Sequence, residues 1–216
     1  MVGYLLQHLT FVAIKVLLYA KTSNFGTHSA AQKVKHIPMK RLFLSISIPT
    51  TIKQQIANSW KPYHEWRWTT ISNMHVTVLF MGDTDESELR DIANKVQAIA
   101  FNIPAFELKM KDVSAVLTPN RGAMLWITFH PSEPLELLAS LLGEVLTNSS
   151  EHGFTAHLTL LRLPIGEVND KKAVQLAKQL PVVPFSFTAM QVELWETVKL
   201  VRGQKYNCLQ KFPLLG

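Results

Sequence analysis

Apolar and polar positions change period several times along the chain, and each change marks an element. Lys40-Arg41-Leu42-Phe43-Leu44-Ser45-Ile46-Ser47-Ile48 reads as a strand stopped by Pro49. Thr50–Trp60 then carries apolar residues at helical spacing, Ile52, Ile56 and Trp60. His75–Phe80 is an intensely β-prone run. Asp83-Thr84-Asp85-Glu86 supplies cap and first-turn acids for a helix bearing Leu89, Ile92, Val96 and Ile99. Strands are predicted at Phe106–Met110, Ser114–Leu117 and Ala123–Phe129, followed by an amphipathic helix over Glu133–Thr147. A further β-prone run covers His157–Leu161, a helix lies near Lys171–Gln179, and Phe187–Glu196 and Tyr206–Phe212 read as strands.

Two stretches share one plan: a helix, a short strand containing a histidine, and another helix. The two histidines are 82 positions apart, close to half of the 39–216 body. This interleaving predicts an α+β (α/β-like) fold of two similar lobes whose sheets face each other across a central cleft.

Composition narrows the function classes. With 47% hydrophobic and 18% charged residues, the chain is neither collagen-like nor disordered. The net charge of +6 is uneven, because residues 1–38 contain Lys15, Lys21, Lys33 and Lys35 and no acid. The remaining excess is too small to require a long polyanion, but it allows a compact anionic substrate. The apolar start is interrupted by Lys15 and lacks a basic n-region, so neither a membrane span nor a secretory signal fits. Residues 1–38 are expected to be a flexible extension or a mis-assigned start, with the folded body at 39–216 and no membrane partner. Cys208 alone cannot form an internal disulfide or anchor a multi-cysteine metal site; it reads as a small core residue, and a reducing, cytoplasmic setting is expected. There is no Gly-rich phosphate loop, no His-Glu-x-x-His helix and no histidine pair at i, i+2 or i+4, so no cofactor and no metal are expected.

The informative segments are His75-Val76-Thr77-Val78 and His157-Leu158-Thr159-Leu160. On a strand, residues i and i+2 share a face, so each segment presents an imidazole beside a hydroxyl while its apolar pair points into the core. Two such strands brought together would surround one small space with two imidazoles and two hydroxyls. One neutral imidazole can take a proton from water while a protonated one gives a proton to a leaving oxygen. Threonine hydroxyls can donate to non-bridging phosphate oxygens. A strained five-membered cyclic phosphate could be opened this way without a metal. A third copy, His8-Leu9-Thr10-Phe11, lacks the flanking helices and is read as coincidence.

On these residues the chain resembles the two-histidine (2H) phosphoesterases, and among them the bacterial and archaeal RNA 2′,3′-cyclic phosphodiesterases, historically called 2′-5′ RNA ligases. The resemblance covers essentially 39–216: Lys40-Arg41-Leu42-Phe43, the segment from Trp68 through His75 to Asp83, Phe154 through Arg162, and Tyr206 to Leu214. It implies two pseudo-symmetric lobes, each an antiparallel-rich sheet with helices outside. It also implies His75 as proton donor, His157 as proton acceptor, and Thr77 and Thr159 as substrate-binding groups. For Phe80 it suggests base stacking and for Arg162 a phosphate contact, although both lie five residues after a histidine, and strict alternation would place them on the opposite face. Core packing for Phe80 and a solvated or structural ion pair for Arg162 are the alternatives. Two departures bear on substrate preference: Leu79, where relatives often carry a basic residue and where parity points to the catalytic face, and Ala156, where proline is common. Trp66-Arg67-Trp68 reads as core with a secondary reading as an RNA contact. His64, His130 and His152 receive no role. The implied activity is opening of RNA 2′,3′-cyclic phosphate ends to 2′-phosphates by a monomer. A binding module without turnover, 2′-5′ ligation and cleavage of small cyclic nucleotides are the alternatives.

Overall fold

The computed structural model describes residues 38–63, 66–118, 122–147, 154–163, 170–201 and 203–216. In chain order these form β1 (Met39–Ser47), α1 (Thr50–Ser59), β2 (His75–Asp85), α2 (Leu89–Ala100), β3 (Phe106–Thr118), β4 (Gly122–Phe129), α3 (Glu133–Thr147), β5 (His157–Leu163), α4 (Asp170–Gln179), β6 (Ser186–Ala189), β7 (Gln191–Lys199) and β8 (Gln204–Pro213). The strands make one sheet, β6-β3-β4-β5-β2-β1-β7-β8, and every pairing in it is antiparallel.

The sheet consists of two equivalent halves. In one, β1-α1-β2-α2 is extended by β7 and β8; in the other, β4-α3-β5-α4 is extended by β3 and β6. The histidine strands β2 and β5 are the innermost of each half, paired through Val76 and Leu158, both essentially inaccessible to solvent. The expected lobes are therefore the halves of one continuous α+β sheet.

Alternation within the strands sorts the two faces. On β4, Ala123, Leu125, Ile127 and Phe129 are buried, while Met124, Trp126 and Thr128 point the other way. On β1, Leu42, Leu44 and Ile46 belong to the core. The helices cover this apolar face with residues at helical spacing: Ile92, Val96 and Ile99 of α2, Leu135, Leu138 and Leu142 of α3, Ile56 of α1, and Ala173 and Leu176 of α4. The opposite face is left open for the site.

Three element expectations need correction. β2 runs on through Asp83 and Thr84 to Asp85, so these residues do not begin a helix; Asp85 instead accepts Ser87 N–H at 2.7 Å and caps a 3₁₀ turn ahead of α2. The two strands predicted between Phe106 and Leu117 are one, with a register irregularity between Met110 and Asp112. The run Phe187–Glu196 is divided at Met190, because β6 pairs with β3 at one edge of the sheet whereas β7 pairs with β1 in the other half. The His8 motif and the rest of residues 1–37 lie outside the described residues. Among the described residues, no helix is long and apolar enough to cross a membrane.

Candidate active site

His75 and Thr77 project from the same face of β2, and His157 and Thr159 from the same face of β5. A carbonyl two residues upstream fixes each ring in the same way. His75 Nδ1–H donates to Asn73 O at 2.7 Å and His157 Nδ1–H donates to Thr155 O at 2.8 Å. A proton held at Nδ1 leaves Nε2 as the nitrogen available for chemistry. His75 Nε2 lies 3.1 Å from the Thr77 hydroxyl. Aromatic walls complete the seating. His157 stacks on Trp126 with ring centroids 3.7 Å apart, and His75 packs against Phe43 at 4.9 Å and Tyr206 at 5.3 Å.

Two β-bulges at equivalent places resolve the parity conflict at Phe80 and Arg162. Against β1, the register of β2 skips Val78 between the pairs Ser45–Thr77 and Leu44–Leu79. Against β4, the register of β5 skips Leu160 between Trp126–Thr159 and Leu125–Leu161. One extra residue per strand reverses the faces of everything downstream. Phe80, paired with Phe43, and Arg162, paired with Met124, consequently line the same pocket as the histidines. The same shift corrects the reading of Leu79. It pairs with the core residue Leu44 and packs against the core, so it occupies no position on the open face.

The pocket has a volume of about 740 Å³ and joins both halves of the sheet to the segment before β2, a size suited to a small organic ligand. Sequence reasoning assigned no role to several of its lining residues: Arg41, Phe43, Asn73, Thr197 and Tyr206. Arg41 lies over the Phe80 ring at 4.8 Å and 3.5 Å from Asp83. The Trp66-Arg67-Trp68 segment divides: Arg67 and Trp68 line the pocket, whereas Trp66 packs against the core with Lys172 over its ring. Trp68 is held by stacking on Trp60 and by donating to Tyr63 O at 2.8 Å. His130 is exposed in the connection between β4 and α3, and His64 and His152 lie outside the described residues. Cys208 is exposed, contrary to the core reading, because β8 is the edge strand of the sheet.

Burial dominates the electrostatics of the rings. It pushes His75 down to about 4; the Asn73 carbonyl opposes this, and Lys53, His157 and Arg162 add to it. Burial also lowers His157, against the pull of Thr155 O, with Arg162 again lowering it. Burial raises the Tyr206 phenol, and the Arg162 charge works against that. Arg162 is thus felt at all three groups, as a positive charge beside the two rings and the phenol. Among the described residues, no three His, Cys, Asp or Glu side chains come together as metal ligands would.

A profile described as the 2′-5′ RNA ligase superfamily matches residues 36–199. The chain belongs to that superfamily. Similar proteins include the RNA 2′,3′-cyclic phosphodiesterase of Methanocaldococcus jannaschii, 25% identical over 80% of this chain and 99% of the relative. That of Thermotoga maritima is 25% identical over 82% of this chain and 96% of the relative. Together with the superfamily match, these relatives support phosphoesterase activity at the level of the family. Among solved structures, E. coli LigT complexed with 3′-AMP aligns with a TM-score of 0.66 at 22% identity, covering 83% of this chain and all 100% of the other. That likeness shows a shared fold.

Proposed function

We propose that the protein hydrolyses terminal 2′,3′-cyclic phosphates of RNA to 2′-phosphates, without a metal, by acid–base catalysis between His157 and His75. The observation that carries this reading is the equivalent seating of the two His-x-Thr segments on adjacent central strands, with both bulges turning Phe80 and Arg162 into the same pocket. His157 Nε2 takes a proton from water as its oxygen bonds to phosphorus. The P–O3′ bond breaks on the opposite side, and His75 Nε2–H gives its proton to the departing O3′. The products are a 2′-phosphate and a 3′-hydroxyl. Thr77 and Thr159 donate to the non-bridging oxygens, where charge builds up in the transition state. Arg162 balances the phosphate charge, and Phe80 offers a face to the base.

His75 must be protonated to act as the donor, yet burial holds it near 4. A phosphate anion beside the ring favours the imidazolium, so the proton and the phosphate enter together. The names of the similar proteins support the cyclic phosphate as substrate. The test is incubation with an oligonucleotide ending in 2′,3′-cyclic phosphate in the presence of EDTA, followed by identification of the terminus. A 2′-phosphate end is expected. An unchanged terminus on a bound oligonucleotide would instead make the protein a binding module, and turnover abolished by EDTA would contradict the metal-free mechanism.

A further inference from the structure

The two halves treat the strand beside each histidine alike. Ser47 on β1 is paired with His75, and Thr128 on β4 is paired with His157. Each of these hydroxyls donates to a carboxylate one strand further out, Ser47 to Glu193 on β7 and Thr128 to Asp112 on β3. The carboxylates differ in their surroundings. Asp112 is solvent-exposed and takes a second hydroxyl from Ser114 at 2.8 Å. Glu193 is only 1% exposed. Its Oε2 also accepts from Trp195 Nε1 at 3.1 Å, and its Oε1 accepts from Gln191 Nε2 at 2.5 Å and lies 3.4 Å from Lys211 Nζ. Such a complete donor set is what a buried carboxylate needs, and the proposed phosphate chemistry makes no use of it.

Glu193 also bears on Lys53, a partly buried cation in the first turn of α1. Burial lowers the Lys53 ammonium, and Glu193 opposes that shift. Beyond burial itself, the charges lowering His75 are Lys53 on α1 with His157 and Arg162 on β5, while Tyr206 on β8 and Phe43 on β1 border the ring. These charged neighbours are all cationic or able to become so.

We propose that Glu193 is a positioning residue for His75: it holds Ser47 beside the imidazole and balances the neighbouring cation Lys53, so that His75 can keep the proton a donor must carry. This rests on the assignment of His75 as donor. Asp112, the equivalent of Glu193 in the other half, stands in water where its charge is screened. The buried carboxylate therefore lies on the side of the histidine that has to be protonated, and the pseudo-symmetric halves are biased toward different roles.

NMR titration of the imidazole Cε1–H signals in the full chain tests this without substrate. Glu193→Gln should lower the His75 midpoint by about half to one pH unit, the scale of one partly screened charge two strands away. Lys53→Met should raise it by a similar amount, and the double variant should return it toward the wild type. Asp112→Asn should leave His157 within about 0.3 pH unit, as expected for a screened surface charge. If Glu193→Gln does not fold, Ser47→Ala carries the test, since cutting the link should also lower the His75 midpoint. An unmoved His75 in Glu193→Gln, or in Ser47→Ala where Glu193→Gln does not fold, or a double variant no nearer the wild type than Glu193→Gln, overturns the proposal. Because the titration needs no turnover, a protein that titrates as expected but leaves cyclic phosphate intact would count against the proposed function alone.

Discussion

Thr77 and Thr159 each sit one pleat beyond a histidine, with hydroxyls facing the same space as the imidazoles. If each donates one hydrogen bond to a charged phosphate oxygen, Thr77→Ala or Thr159→Ala should lower kcat/KM by roughly 10–150-fold, the equivalent of about 1.5–3 kcal/mol, with the fold intact. Wild-type rates in both variants would remove the threonines from the phosphate site. His75 also makes a prediction about stability. Its folded-state value near 4 lies below the ordinary 6.5, so between those values the unfolded chain binds a proton that the folded chain does not. This contribution to stability is fully present above about pH 6.5 and is lost as pH falls toward 4, by about 3 kcal/mol at most. Urea denaturation at pH 7 and pH 4.5 should therefore show a smaller drop in His75→Gln than in the wild type. An equal drop would show that the ring is not buried neutral.

At the scale of elements, helices and strands were legible wherever one period held long enough. Ile92-Val96-Ile99 and Leu135-Leu138-Leu142 mark their helices, and the His-x-Thr runs mark β2 and β5 together with the face their first residues share. Insertions of a single residue were not legible. Val78 and Leu160 look like ordinary strand residues, and only backbone pairing with β1 and β4 reveals that the register passes over them. Phe80 and Arg162 could therefore be proposed for the site from family likeness but not from parity, and parity misplaced Leu79. Arg41 and Tyr206 went unassigned because they reach the pocket through pairings between distant segments, β1 with β2 and β1 with β7, the latter carrying the β7–β8 hairpin to the site, that no local pattern announces. Met190 hid the passage from one half of the sheet to the other inside a continuous extended run. The second irregularity of β2, at Met81, ends in Gly82 with φ at 77°. A Cβ there would meet only Phe80 Cε1 at 3.8 Å, so Gly82→Ala should cost about 1–2 kcal/mol through backbone strain alone. A stability equal to the wild type in chemical denaturation would show that the turn adapts without the left-handed conformation.

For the whole molecule, the decisive feature is that a pseudo-symmetric sheet places its two central strands side by side through the Val76–Leu158 pair. Leu158→Ala, removing a fully buried side chain at that junction, should destabilise the protein by about 2–5 kcal/mol. A loss well under 1 kcal/mol would mean that the halves are held together elsewhere. The central claim is that these strands supply an acid and a base to opposite sides of one phosphorus. Replacing either histidine with alanine should cost about 10²–10⁴ in rate on the cyclic phosphate, and the double variant should be far less than additively worse, since both act in one displacement. Leaving-group dependence separates the two roles most directly. A phosphodiester whose leaving group is a weakly basic phenolate needs little protonation as it departs. Measured beside the cyclic phosphate, it should restore much of the rate to His75→Ala and little to His157→Ala; equal rescue of both variants, or full activity of either on the cyclic phosphate, would contradict the account.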